Sequence, residues 1–273
     1  MSAGGTGQPT AVTIADTTPA HRRPEPPVAL ITGAAQGLGR AIALRLAAEG
    51  FAVAVNDIAA DKRLTGLATE IGGLAVPADI SAADAAPAMV RAVADALGPV
   101  DVLVANAAAM AMSPFLGADM RQWWHQIDVN LTGHFRLIQA VLPGMRAAGQ
   151  GRIVTIASGW GVIGYPNATA YAASKAGLIA LTKGLGRELG PQGILTNAIA
   201  PSFIDTPQLQ VDADDAGITL EEMRQRYREQ IPVRHLATPE DIAGAVAFLA
   251  GPGGSAVIGQ VLQPNGGVTR TRA

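Results

Sequence analysis

The sequence predicts an α/β protein whose core is a doubly wound parallel sheet of about seven strands with helices on both faces. Two observations predict it. Short apolar runs alternate with helical patterns from residue 28 almost to the end, and the first run is followed at once by a glycine-rich turn and a helix. Strands that alternate with helices are typical of parallel sheets covered on both faces.

The first strand, turn and helix have the spacing of a nucleotide-binding unit. A strand is predicted at residues 28–32, a glycine turn at 33–39, a helix at about 40–49 and a second strand at 51–56. Glycines in such a turn let the backbone approach a pyrophosphate, which rests on the N–H groups at the helix start. The unit therefore predicts dinucleotide binding on a Rossmann-like sheet.

Asp57, at the end of the second strand, bears on which dinucleotide binds. Its carboxylate suits the adenosine ribose hydroxyls, whereas a 2′-phosphate at about 4 Å would be repelled by about 4 kcal/mol at an effective dielectric of about 20. NAD(H) is thus favoured over NADP(H). Arg40 and Arg63 leave the alternative open, because a nearby arginine can neutralise a phosphate.

The alternation continues to the end of the chain. Further strands are predicted at residues 74–78, 100–104, 151–157, 194–200 and 259–263, and helices at 83–97, 119–148, up to about 189, and 239–250. Residues 201–234 form a long insertion with its own helix at 220–230. Ligands in such sheets lie at the carboxyl ends of the strands. The side chains at these ends, which we expect to converge on one crevice, are Asp57, Asp79, Asn106, Ser158 and Pro201.

Composition excludes several classes of site and partner. The chain has 273 residues, a net charge of −2 and no cysteine, so disulfides, thiolate nucleophiles and cysteine-based zinc sites are ruled out. Its four histidines lack metal-ligand spacing, and we expect no metal. No charge excess points to nucleic acid or to an anionic membrane surface.

Residues 1–27 differ from the rest in being rich in Gly, Thr and Pro. They have no sustained apolar core, and no run in the chain reaches the about 20 apolar residues that a membrane span needs. Arg22-Arg23 hints at a twin-arginine signal, but prolines follow it. We expect a disordered or loosely attached tail, one domain over residues 28–273, and a cytoplasmic protein.

Tyr171 and Lys175 are the most informative pair in the sequence. Residues four apart on a helix share a face, so the ammonium group is expected beside the phenol. A nearby positive charge favours the phenolate and lowers a pKa that is otherwise about 10. Such a phenol is a general acid/base suited to hydroxyl and carbonyl chemistry.

Together these motifs resemble the short-chain dehydrogenase/reductase family in its single-domain form, from about residue 28 to residue 267. The matching segments are Thr32-Gly33-x-x-x-Gly37-x-Gly39, Asp79-Ile80, Asn106-Ala107, the four residues Asn130, Ser158, Tyr171 and Lys175, and the segment 197–206. Two departures are Ala105-Asn106-Ala107-Ala108, where the family has Asn-Asn-Ala-Gly, and Pro201-Ser202 in place of Pro-Gly.

The resemblance implies an NAD-dependent alcohol dehydrogenase or ketone reductase that usually forms tetramers through its two long central helices. It implies that Tyr171 transfers the proton, and that Lys175 lowers the tyrosine pKa and binds the nicotinamide ribose. It also implies that Ser158 binds the substrate oxygen and that Asn130 holds a water linked to Lys175. The residues it implies for the cofactor are Gly33, Gln36, Gly37, Leu38, Gly39, Asp57, Asp79, Ile80, Asn106, Tyr171, Lys175, Pro201, Ile204 and Thr206.

The substrate side is less defined. Five residues in or just beyond these segments predict an apolar pocket for a hydrophobic, cyclic or aromatic secondary alcohol or ketone, although they equally fit core packing: Met110, Trp160, Tyr165, Phe203 and Leu209. Asp212, Asp214 and Asp215 are expected in a solvated loop that closes over the site. The alternatives are a 3-oxoacyl-thioester reductase, for which Arg224, Arg226 and Arg228 would supply basic residues, and a non-catalytic NAD-binding scaffold.

Overall fold

A computed structural model of the chain describes residues 26–269, so most of the predicted tail lies outside the described residues. The predicted sheet is confirmed: seven parallel strands lie in the order β3-β2-β1-β4-β5-β6-β7. The strands are β1 (Val28–Thr32), β2 (Ala52–Asn56), β3 (Leu74–Ala75), β4 (Val102–Ala105), β5 (Gly151–Ile156), β6 (Ile194–Ile199) and β7 (Val261–Leu262). The division into a tail and one domain stays a prediction.

Helices cover both faces of the sheet. They are α1 (Gly37–Ala48), α2 (Lys62–Glu70), α3 (Ala85–Leu97), α4 (Met120–Ile127), α5 (His134–Ala148), α6 (Trp160–Ile163), α7 (Thr169–Leu189), α8 (Gln208–Ala216), α9 (Leu220–Gln230) and α10 (Pro239–Ala250). One core cluster joins the sheet to α1 and α10, and a second joins it to α3 and α5. Among the helices described, none is long and apolar enough to cross a membrane.

Some predicted boundaries are wrong for local reasons. Strand β3 ends at Ala75 instead of residue 78, and Pro77, which has no N–H to donate, follows two residues later. Helix α1 begins at Gly37 instead of residue 40, so the later glycines of the turn form its first turn. The long helix predicted at 119–148 is interrupted by a π-helical turn at Asp128–Gly133.

The insertion after β6 is more ordered than expected. Instead of a solvated loop, Asp212, Asp214 and Asp215 lie on α8, which ends at Gly217 in a left-handed conformation. Helices α8 and α9 pack together in a small apolar cluster that includes Leu209, Met223 and Tyr227. The insertion is therefore a helical pair with its own core.

The packing of α7 against the end of the chain gives a first prediction. A methyl group on Gly186 would lie 2.7 Å from the Gly259 Cα, whereas one on Gly66, in α2, would meet nothing within 4 Å. Gly186→Ala should lower the free energy of unfolding by about 1–3 kcal/mol through overpacking. Gly66→Ala should raise it by about 0.5–1 kcal/mol through helix propensity. Urea titrations of both variants test this, and equal effects would contradict the packing.

Candidate active site

One cavity of about 470 Å³ lies at the carboxyl ends of the strands. It extends from the glycine turn before α1, past the end of β5, to helices α8 and α9. Every residue predicted for the cofactor borders it, as do Ser158, Tyr171 and Lys175. The residues at the strand ends therefore converge on one cavity, as the sequence predicts.

The glycine turn is shaped by close backbone contacts. A Cβ on Gly39 would lie 2.1 Å from the Gly33 carbonyl oxygen, and one on Gly33 would lie 2.7 Å from the Ala107 Cα. Gln36, the N-cap of α1, makes no side-chain cap, so no side chain occupies the first N–H groups of the helix. A bare helix N-terminus facing a cavity suits the pyrophosphate of a dinucleotide.

Asp57 is held in place by the backbone. One carboxylate oxygen accepts the Ala35 N–H at 3.0 Å, and the other accepts the Ile58 N–H at 2.8 Å. Both nearby arginines are paired with acids: Arg40 lies 2.7 Å from Glu70, and Arg63 lies 2.6 Å from Asp61. The charge at this end of the cavity is therefore net negative.

The segment after β4 is fixed from both sides. The Asn106 amide donates to the backbone oxygens of Thr32 and Gly33, at 2.9 and 3.1 Å. Behind the segment, His134 is fully buried with Nε2 2.9 Å from the Ala107 oxygen, and burial lowers the pKa of this histidine to about 3. A neutral imidazole therefore supports the cavity wall.

Asn130 does not border the cavity but braces it. It lies in the π-helical turn, fully buried, where its Oδ1 accepts the Ala109 N–H at 2.8 Å. Its amide donates to the Ala109 oxygen at 2.9 Å and to the Ser174 hydroxyl at 3.1 Å. The side chain thus ties the β4 segment to α7, and π-turns of this kind are frequent at functional sites.

Tyr171 and Lys175 share a face of α7, as the spacing predicts. The Lys175 Nζ lies 5.5 Å from the centre of the Tyr171 ring and donates to the Ile156 carbonyl oxygen at 2.7 Å. Lys175 is only 1% exposed, and desolvation lowers its pKa to about 7. The ammonium group is therefore anchored to the end of β5, close to the phenol.

The expectation that Lys175 lowers the tyrosine pKa is wrong for the chain by itself. Desolvation raises the pKa of Tyr171 to about 12, a hydrogen bond with Ser158 opposes the rise, and the charge of Asp212 adds to it. Burial disfavours the charged state of each group, and this loss of water dominates the pKa of Tyr171. The Ser158 oxygen accepts the Trp160 N–H at 3.1 Å, so Ser158 uses its hydrogen to donate toward Tyr171.

Four of the five predicted substrate residues border the cavity: Met110, Trp160, Phe203 and Leu209. Tyr165 does not border it, because it stacks on Trp160 with ring centres 4.0 Å apart. Phe203 stacks in the same way on Tyr227, at 4.1 Å. The far end of the cavity is therefore lined largely by aromatic rings.

The sequence analysis missed several residues of this end. His125, Gln208, Asp212 and Tyr227 also border the cavity. The Tyr227 hydroxyl donates to Asp212 at 3.2 Å across the α8–α9 pair. The available signal on α8 was the i,i+4 spacing of the apolar residues Leu209 and Ala213, which indicates one buried face of a helix. No group of three or more His, Asp or Glu in residues 26–269 is placed to hold a metal ion.

Comparisons with known proteins agree with the resemblance. A family model described as enoyl-(acyl carrier protein) reductase matches residues 33–269. A protein named short-chain dehydrogenase/reductase eriH, from Hericium erinaceus, is 42% identical over 88% of this chain and 96% of its own length.

Other relatives are named 3-oxoacyl-[acyl-carrier-protein] reductase FabG. The one from Staphylococcus aureus is 38% identical over 88% of this chain and 97% of its own length. The relative from Vibrio cholerae is 36% identical over 88% of this chain and 96% of its own length. The matches span nearly the whole fold, including the glycine turn and the Tyr171–Lys175 helix, and the chain therefore belongs to the short-chain dehydrogenase/reductase family of oxidoreductases.

Proposed function

We propose that this protein transfers a hydride between NAD(H) and a secondary alcohol or ketone with a hydrophobic or cyclic body. The observation that carries the proposal is one continuous cavity, bordered at one end by a glycine turn and in the middle by Tyr171, Lys175 and Ser158. The aromatic far end supports a hydrophobic substrate.

The side chains divide the work as follows. In alcohol oxidation Tyr171 takes the hydroxyl proton, and in ketone reduction it returns one. When substrate binds, Ser158 donates its hydroxyl hydrogen to the substrate oxygen and stabilises the charge that develops there. Lys175 donates one hydrogen to the Ile156 carbonyl oxygen, which leaves other hydrogens for the hydroxyls of the cofactor ribose. NAD⁺, when bound, supplies the hydride acceptor.

NAD(H) is proposed over NADP(H) because of the acidic adenosine end. The Asp57 oxygens each have a remaining lone pair for a ribose hydroxyl, and a phosphate there would meet a like charge. Arg40 and Arg63 are each paired with an acid, which reduces what they offer a phosphate, although Arg63 also donates to Gln36 at the edge of the cavity.

Two alternatives are tested by the same substrate panel. A 3-oxoacyl-thioester reductase is favoured by the names of the FabG relatives. Against it, Arg224 is bound to Asp205 and Arg228 to Glu221, and Arg224, Arg226 and Arg228 do not border the cavity. A non-catalytic NAD-binding scaffold would turn over neither alcohols nor thioesters.

We also propose a homotetramer in the cytoplasm. Trp124 on α4 and Phe135 on α5 are 53% and 45% exposed, which suits a contact between the central helices of two copies. Light scattering after size exclusion should give four times the 27.8 kDa chain mass.

Removal of the phenol should slow the reaction far more than it weakens cofactor binding. Tyr171→Phe should lower kcat for the oxidation of cyclic and aryl secondary alcohols by about 10²–10⁴-fold, the usual contribution of a positioned general base. The NADH dissociation constant, read by fluorescence, serves as the control and should change by less than about threefold. Full activity in this variant would contradict the assignment.

The two directions should respond differently to pH. A Tyr171 pKa that is raised to about 12 keeps the phenol protonated at neutrality, so oxidation, which needs an acceptor, should accelerate as pH rises. Ketone reduction, which needs the protonated phenol, should change little over the same range because the phenol stays protonated. Initial rates between about pH 6 and pH 10 measure this. An oxidation rate that falls throughout would show that another group takes the proton.

Asp57 should control the cofactor preference. Asp57→Ala should weaken NADH binding by about tenfold and narrow its advantage over NADPH, because the like charge is removed. Asp95→Asn, an exposed change on α3, is the matched control. Calorimetric titration with both cofactors tests this, and tighter binding of NADPH than of NADH by the unaltered protein would refute the preference.

A further inference from the structure

Asp212 is a partly buried carboxylate on α8 that borders the substrate end of the cavity. It borders the same cavity as Tyr171, and burial raises its pKa above the ordinary range. Its partners are neutral: Gln208 donates to one oxygen at 3.1 Å, and Tyr227 donates to the other at 3.2 Å. Within residues 26–269 no cationic side chain lies within 4 Å of it. A partly desolvated carboxylate without a cationic partner is a candidate for binding a cation.

The neighbouring acid on the same helix shows the contrast. Asp214 accepts a hydrogen bond from Gln210 at 2.7 Å, in the same i,i+4 arrangement as Asp212 and Gln208. Asp214 is exposed and does not border the cavity. The helix thus carries two equivalent Gln–Asp pairs, of which only one is turned into the site.

The surroundings of Asp212 favour a cation over an anion. Trp160, Phe203 and Tyr227 border this part of the cavity, and because each ring stacks on another ring, they form an apolar wall. A wall of low polarity strengthens the attraction between a carboxylate and a cation relative to water. An anionic substrate group would meet a negative charge that no cation offsets.

We propose that Asp212 is the specificity-determining residue of the substrate end and binds a protonated amine carried by the secondary alcohol or ketone. This rests on the proposed function and names its substrate class: amino alcohols and amino ketones with an aromatic or cyclic body. The reaction itself is unchanged, with the carbinol proton going to Tyr171 and the hydride to NAD⁺.

The same placement couples binding to catalysis. The charge of Asp212 raises the pKa of Tyr171, so an ammonium group that neutralises this charge makes the phenol easier to ionise. A neutral substrate leaves the carboxylate uncompensated. The other titratable or charged groups around the two residues are Lys175, His125, Tyr165, Asp215, Arg226 and Tyr227.

Matched substrates test the proposal. The pairs are 2-amino-1-phenylethanol with 1-phenylpropan-1-ol and 3-amino-1-phenylpropan-1-ol with 1-phenylbutan-1-ol, and 3-hydroxy-3-phenylpropanoate is the anionic member. The kcat/KM for the better amine should exceed that of its neutral partner by about 10- to 100-fold, with the anion last. Equal use of the amine and neutral members, or preference for the anion, would overturn the proposal.

Variants of Asp212 and Asp214 then test which residue causes the preference for amines. Asp212→Asn should reduce the amine-to-neutral ratio to about one and shift the pH profile for neutral alcohols to lower pH, because a charge that raises the Tyr171 pKa is gone. Asp214→Asn should keep both the ratio and the profile. Asp212→Glu, which retains the carboxylate, should keep a preference for amines, and loss of the preference in this variant as well would point to a folding defect instead of a lost charge. An unchanged ratio in Asp212→Asn would refute the role.

The failure of this proposal is distinguishable from failure of the proposed function. If neutral alcohols react and the amines have no higher kcat/KM, the proposed hydride transfer is supported and the role of Asp212 is refuted. If no alcohol reacts, the reaction class is wrong. In that case, calorimetry with 3-amino-1-phenylpropan-1-ol still decides whether Asp212 binds an ammonium, since loss of binding in Asp212→Asn supports it and unaltered binding refutes it.

Discussion

The burial of two ionisable side chains on one face of α7 is the constraint on which the rest of the site depends. Lys175 is almost fully buried and has its ammonium group bound to the end of β5, and Tyr171 lies one helical turn before it. Burial of this kind destabilises charged states unless the surroundings are rigid and polar in the right places. The Asn130 bridge between α7 and the segment after β4, and the neutral His134 behind that segment, supply such a frame.

Much of this arrangement was predictable from local sequence. The parallel order of the strands follows from their alternation with helices, and the convergence of Asp57, Asn106 and Ser158 follows from their positions at strand ends. Close approach explains the glycines, because a side chain on Gly39 would overlap the backbone of Gly33. For these features, the spacing of residues in the sequence is enough to predict which residues lie next to each other in the fold.

Other features depend on distant parts of the chain, and spacing does not give them. The pKa of Tyr171 was predicted from Lys175, its neighbour on the helix, but the dominant cause is desolvation by the whole cavity, aided by Asp212 from 41 positions further along. The α8 acids look like a solvated loop by composition, and only packing against Met223 and Tyr227 of α9 shows that the segment is a helix with one face inward. Tyr165 likewise packs on Trp160 and not against the cavity.

The account assigns hydride transfer to a single cavity and proton transfer to a single phenol within it. The most direct measurement is mass spectrometry of the reduced cofactor after incubation of NAD⁺ with secondary alcohols deuterated at the carbinol carbon. The account predicts that deuterium appears in the reduced nicotinamide with the unaltered protein, and that this transfer slows by orders of magnitude in Tyr171→Phe. Absence of label with every alcohol, amines included, or transfer at an undiminished rate in the variant, would contradict it.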